Sequence, residues 1–208
     1  MTIATTDFVP TELARGRGGG GPAPTRVVVA YGFWIFLLSD FVLFSGLFGA
    51  YAVLSGNAAG GPSGAELFNF RNVFIETACL LFSSYTCGLG ALAAERRQPG
   101  GFLIFSAFTF VLGAAFLFIE GSEFAGLVGA GAGPSRSAFL SAFFTLVGTH
   151  GAHVTCGLIW LLYMVAQVVA KGLRPHVLRR LLCFSLFWHA LDIIWVGVFT
   201  MVYLMGAR

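Results

Sequence analysis

The stretch LFWHALDIIWVGVF, residues 186–199, is apolar along its length yet carries His189 and Asp192 in its middle. It belongs to a run over 180–205 with no turn-forming residue cluster inside it. About 20 mostly apolar residues cross the hydrocarbon of a bilayer as a helix, and this run is long enough. Four further runs have the same character, at 28–54, 73–94, 102–121 and 138–170. The fourth is long enough to tilt or to extend into water. Continuous rather than alternating hydrophobicity selects helices over a barrel. The expected fold is therefore an all-α membrane protein, a bundle of five transmembrane helices.

Composition agrees. The 208 residues are 57% hydrophobic and only 10% charged, whereas a soluble domain carries about 25% charged residues. The connections SGNAAGGPSG (55–64), ERRQPGG (95–101), GAGAGPS (129–135) and KGLRPHV (171–177) hold the glycine, proline and charge of turns. The tail contains RGRGGGGPAP (15–24) and no apolar core of a signal peptide. Residues 1–27 are read as a disordered cytoplasmic tail and 28–208 as the transmembrane domain. The first helix is then expected to target the chain.

Charge sets an expected orientation. Arg15, Arg17, Arg26, Arg96, Arg97, Lys171, Arg174, Arg179 and Arg180 fall on one side of an alternating five-helix topology, and Arg71, Arg136 and Arg208 on the other. Nine against three places the N-terminus in the cytoplasm and the C-terminus in the periplasm. The formal charge of +3 forms no basic stripe interleaved with aromatics, so nucleic acid is not an expected partner. Cys79, Cys87, Cys156 and Cys183 lie inside apolar runs without a CxxC, and are read as small packing residues.

Ionisable groups at membrane depth normally face protein and find a partner. His150 and His153 share one face of the fourth helix, and His189 and Asp192 share one face of the fifth. Gly148, Gly151, Ala152 and Gly157 permit close helix approach. A structural polar cluster of His150, His153, His189 and Asp192 between these two helices is expected, with Asp192 accepting from a histidine. Two readings stay open beside it. One is a bis-histidine haem site and the other an unspecified proton-linked role. Asp40 is a buried carboxylate in the first helix. It is either structural and hydrogen-bonded, or involved in proton entry or in contact with lipid or a partner. Glu76, Glu120 and Glu123 fall near the outer ends of their helices and are expected to snorkel. Trp160, Trp188 and Trp195 are expected to pack, and Trp34 to lie in an interfacial belt.

The absences narrow the class. There is no Walker loop, no GxGxxG after a strand and no arguable Ser–His–Asp or Cys–His set. The four histidines fall short of the six that a haem–copper centre requires, and no thiolate-rich segment suits a binuclear copper site. No catalytic, cofactor-binding or metal-binding residue is assigned to this chain.

WHALDIIWVGVFTMVYLMG (188–206) resembles the last helix of subunit III of the haem–copper terminal oxidases, where W-H-x-x-D-x-x-W recurs. GTHGAHVTCGLIW (148–160) resembles the helix before it, FLLSDFVLFSGLF (36–48) the carboxylate-bearing helix, and IEGSEF (119–124) that family's E-x-x-E. Five helices, the AGGPSG loop (59–64), GPSRSAFLSAFF (133–144) and the VYLMG ending (202–206) favour the cytochrome-o-type ubiquinol oxidase branch. Asp40 stands where the cytochrome c branch has Glu. The resemblance implies a complex of the bacterial inner membrane in which another subunit oxidises ubiquinol, reduces oxygen and pumps protons. It implies haems and copper in subunit I, and subunits I, II and a small subunit IV as partners. This chain would be a non-catalytic subunit III that stabilises subunit I, binds phospholipid and supports proton uptake. A haem-b membrane anchor, a cytochrome c oxidase subunit III and a small transporter using Asp40 are the alternatives.

Overall fold

A computed structural model of the protein describes residues 24–56 and 70–206. Among these residues it is entirely helical. The helices are α1 (Thr25–Leu54), α2 (Phe70–Glu95), α3 (Pro99–Gly129), α4 (Ala138–Lys171) and α5 (Pro175–Val198). A π-helical turn, Phe199–Leu204, continues α5. All five are long and apolar enough to cross a membrane. The expected N-terminal tail up to residue 23, and most of the 55–64 loop, lie outside the described residues.

Local chemistry sets the boundaries. Pro99 opens α3 and Pro175 opens α5, at the first turn where the missing N–H costs nothing. The Ser137 side chain accepts from the Leu140 N–H at 3.2 Å and caps α4. Gly172, at φ 69°, ends α4 in the left-handed region that glycine adopts without strain. Two helices exceed their expected runs by five residues or more at one end. α3 runs eight residues past Gly121 because nothing before Gly131 interrupts it, and α5 starts at Pro175 rather than 180.

α4 and α5 form the centre. α2 and α3 pack along one another and close over α5 and α4 from one side, while α1 lies on α4 and α5 from another. Aromatic contacts along α1 fix its direction. Phe33 meets Trp160, Phe44 meets His153 and Tyr51 meets Phe139, so α1 runs antiparallel to α4. At one end of the bundle the Arg26 guanidinium pairs with Glu95, and Arg97 donates to the Leu173 carbonyl. These contacts tie α1, the α2–α3 turn and the α4–α5 turn together.

Trp188 is the hub. A Cβ added at Gly157 of α4 would come within 2.8 Å of its ring, and one at Gly113 of α3 within 3.1 Å. Only glycine lets those two backbones reach the indole. The outer surface is the reverse of a soluble protein's: Val53, Phe118 and Val42 are each more than 70% exposed. That is stable only when the surrounding solvent is lipid.

Candidate functional site

α2 carries a line of small and hydroxyl residues, Thr77, Ser83, Ser84, Thr86, Cys87 and Gly90. Spacing of three and four residues puts most of them toward neighbouring helices. The Trp188 indole N–H donates to Ser83 Oγ at 3.1 Å, and the Trp195 indole N–H to Thr77 Oγ1 at 3.1 Å. The Thr86 and Thr109 hydroxyls share a hydrogen bond of 2.9 Å between α2 and α3. Three of these hydroxyls donate back into a helix backbone, Thr77 to Val73, Ser83 to Leu80 and Thr109 to Phe105, which makes Thr86 the donor in its bond to Thr109. A ladder of interhelical bonds thus runs up α2, to α5 through Thr77 and Ser83 and to α3 through Thr86. In hydrocarbon an unmade bond has no water to replace it, so such ladders hold helices in register.

The expected cluster between α4 and α5 does not form. His150 is fully buried, but its ring lies among Phe44, Phe116 and Trp195. His153 turns toward Phe44 of α1, and its Nδ1 donates to the Thr149 carbonyl. His189 and Asp192 face α2 instead. His189 Nε2 lies 3.8 Å from where a Gly88 Cβ would be, and Asp192 lies beside Ser84 and His189. Among the described residues no hydrogen bond or ion pair joins an α4 histidine to His189 or Asp192. The physical reason lies in the faces of α5. It meets α4 through Phe187 and Trp188, which press on Gly157, and the His189–Asp192 edge is turned about a quarter of the helix away. A bis-histidine haem would need His150 or His153 opposite His189, and this divergence does not supply that geometry.

The acidic residues also depart from expectation. Glu76 is fully buried and Glu120 is 4% exposed, so neither snorkels; Glu123 is half-buried. Glu76 continues the inward line of Val73, Leu80 and Ser83, and Glu120 that of Gly113 and Phe116. Those lines are the faces on which α2 and α3 pack, so the carboxyls are carried inward. Glu76 and Glu120 face one another, with Glu123 beside them, Asn72 next to Glu123 and the Tyr203 phenol of the π-turn close by. Asp40 is half-buried on the flank of the Leu37–Phe44–Tyr51 stripe by which α1 packs.

Sequence reading placed the ionisable residues at membrane depth and missed the ladder. Its signal was present in the hydroxyl and small residues of α2 matched by two tryptophans seven residues apart on α5.

Comparison with known proteins gives the same answer along the whole bundle. The family profile described as cytochrome c oxidase subunit III matches residues 19–207. The cytochrome bo(3) ubiquinol oxidase subunit 3 of Pseudomonas aeruginosa is 52% identical over 177 residues, 85% of this chain and 85% of the relative. The quinol oxidase subunit 3 of Bacillus subtilis is 45% identical over 175 residues, 84% of this chain and 86% of its own. The cytochrome bo(3) ubiquinol oxidase subunit 3 of Buchnera aphidicola subsp. Baizongia pistaciae is 44% identical over 175 residues, with 84% and 90% covered.

Proposed function

Because the chain belongs to the cytochrome c oxidase subunit III family, we propose that it is the third subunit of a ubiquinol-oxidising terminal oxidase in a bacterial inner membrane. The observation that carries this is identity of 52% to a ubiquinol oxidase subunit 3 over 85% of both chains, in a protein with the same number of spans that the resemblance implied. The chain is an accessory, non-catalytic subunit. Haems and copper sit in subunit I, electrons from quinol pass there, and this bundle covers apolar surface of its neighbours. Subunit II and a small subunit IV complete the complex, and phospholipid fills what the helices leave. α1 begins at Thr25, inside the tail expected over 1–27, so the transmembrane domain starts there and the residues before it lie on the cytoplasmic side. The basic end of the bundle, with Arg26, Arg97 and Arg179 close together, supports an N-terminus in the cytoplasm and a C-terminus in the periplasm.

Within the chain, the polar residues act as structural ties. The α2 ladder to Trp188 and Trp195 carries most of that role, and Glu76 with Glu120 marks a second polar point between α2 and α3. The half-buried position of Asp40 fits a supporting role in proton uptake at the surface of the complex. Purification of a tagged copy from its native membrane tests the proposal. The expected result is a complex with the absorbance of haem and quinol-dependent oxygen consumption. Purification with no haem protein, or with an oxidase that uses cytochrome c and not quinol, would contradict it.

A further inference from the structure

His189 stands at the middle of its span, fourteen residues from Pro175 and fifteen from Leu204. It is exposed there. Every other exposed Asp, Glu, His, Lys or Arg among the described residues sits at or near a helix end. At similar depth the outer faces of α1 and α3 present Leu38, Val42, Phe108 and Val111. His189 Nδ1 bonds the Ser185 carbonyl at 2.7 Å. A carbonyl only accepts, so Nδ1 is the donor of this bond, and in an imidazole with that tautomer Nε2 is an acceptor. Nε2 opens into a shallow groove of about 480 Å³ lined by Ser84, Tyr85, Gly88, Leu89 and Leu92 of α2. Asp192 does not line this groove: it is half-buried and its Oδ1 is turned into the bundle, on the side of Ser84.

A ring-nitrogen acceptor on a hydrocarbon-facing surface is unfavourable against lipid tails, which have no donor to give it. The same nitrogen is favourable against a helix that brings a donor. Taking the proposed subunit role as its premise, we infer that the α2–α5 groove at His189 is the face on which a transmembrane helix of the adjacent oxidase subunit docks. That helix contributes a hydrogen-bond donor, a hydroxyl, amide or indole, to His189 Nε2. Gly88 leaves room for its close approach, since the nearest atom to a Cβ placed there is His189 Nε2 itself. The apolar faces of α1 and α3 meet lipid.

Site-specific photocrosslinking in the assembled oxidase tests this, with a benzophenone side chain in turn at Ile193, Tyr85, Val42 and Phe108. Adducts from Ile193 and Tyr85 to the haem–copper subunit are expected, with none from Val42 or Phe108. His189→Leu is expected to lower the haem recovered with the tagged chain about tenfold, the size of a buried donor left unpaired. His189→Gln, which keeps an acceptor, is expected to restore most of it. Membrane levels of the tagged chain itself are read in parallel, so that loss of folding is not mistaken for loss of docking. Unchanged or improved recovery in His189→Leu would mean that the residue faces lipid, and would overturn the inference. Adducts to the haem–copper subunit only from Val42 or Phe108, or from the groove only to lipid or to a small subunit, would overturn it as well. Failure of the unsubstituted chain to recover any haem protein would instead sink the subunit assignment.

Discussion

α1 and α2 are both single spans of one bundle, and they are built on opposite plans. α1 is the more apolar of the two, yet it buries only Leu37, Phe44 and Tyr51, and its contacts are a stripe of rings against α4 and α5. α2 is the least apolar of the five, and it buries Glu76, Ser83 and Ser84 along with Val73 and Leu80. In water the more apolar helix would be the more buried. Here lipid solvates apolar side chains as well as protein does, so polarity rather than hydrophobicity drives a segment inward. Hydroxyls and carboxyls find partners only inside the bundle, and small residues let neighbouring backbones come close.

The comparison breaks first at its tightest point. Gly157→Leu puts a branched side chain where a single Cβ already comes within 2.8 Å of Trp188. Loss of folded chain from the membrane is expected, read by detergent-resistant tagged protein; wild-type amounts would mean that α4 and α5 are not closely packed there. Next, Trp188→Ala empties the hub and removes the bond to Ser83. It is expected to cost about 3 kcal/mol, the range of large-to-small aromatic substitutions, read by thermal denaturation in detergent. Thr77→Val leaves the Trp195 N–H without its acceptor, and about 1 kcal/mol is expected by the same measurement. At the bottom of the series, Val42→Ala on the outer face of α1 is expected to change stability by less than about 0.5 kcal/mol. A larger loss there would show that α1 also meets a partner and would erase the contrast with α2.

The five spans were legible because each depends only on the length of an apolar run, which the chain displays directly. Their ends were less so. The third helix runs on past IEGSEF because glycine and serine inside a membrane helix do not stop it without a proline. The polar groups were legible as a list and not as a constellation. Spacing establishes that His189 and Asp192 share a face, but not which neighbour that face meets. α5 touches α1, α2 and α4, and Trp188 against Gly157 turns the His189 edge toward α2. Position near a helix end likewise suggested that Glu76 and Glu120 reach out to water, whereas the α2–α3 packing line carries them in. Trp195 and Thr77 were invisible as a pair because their bond crosses 118 residues.

The ladder from α2 to the tryptophans of α5, and not a histidine–aspartate cluster between α4 and α5, fastens this bundle. Paired double-mutant cycles on thermal stability in detergent test it most directly, one with Trp188→Phe and Ser83→Ala, the other with His150→Phe and Asp192→Asn. A coupling of about 0.6 kcal/mol or more is predicted for the first pair and additive effects for the second. Additivity between Trp188 and Ser83 together with strong coupling between His150 and Asp192 would mean that the α4–α5 polar residues, and not the ladder, hold the helices together.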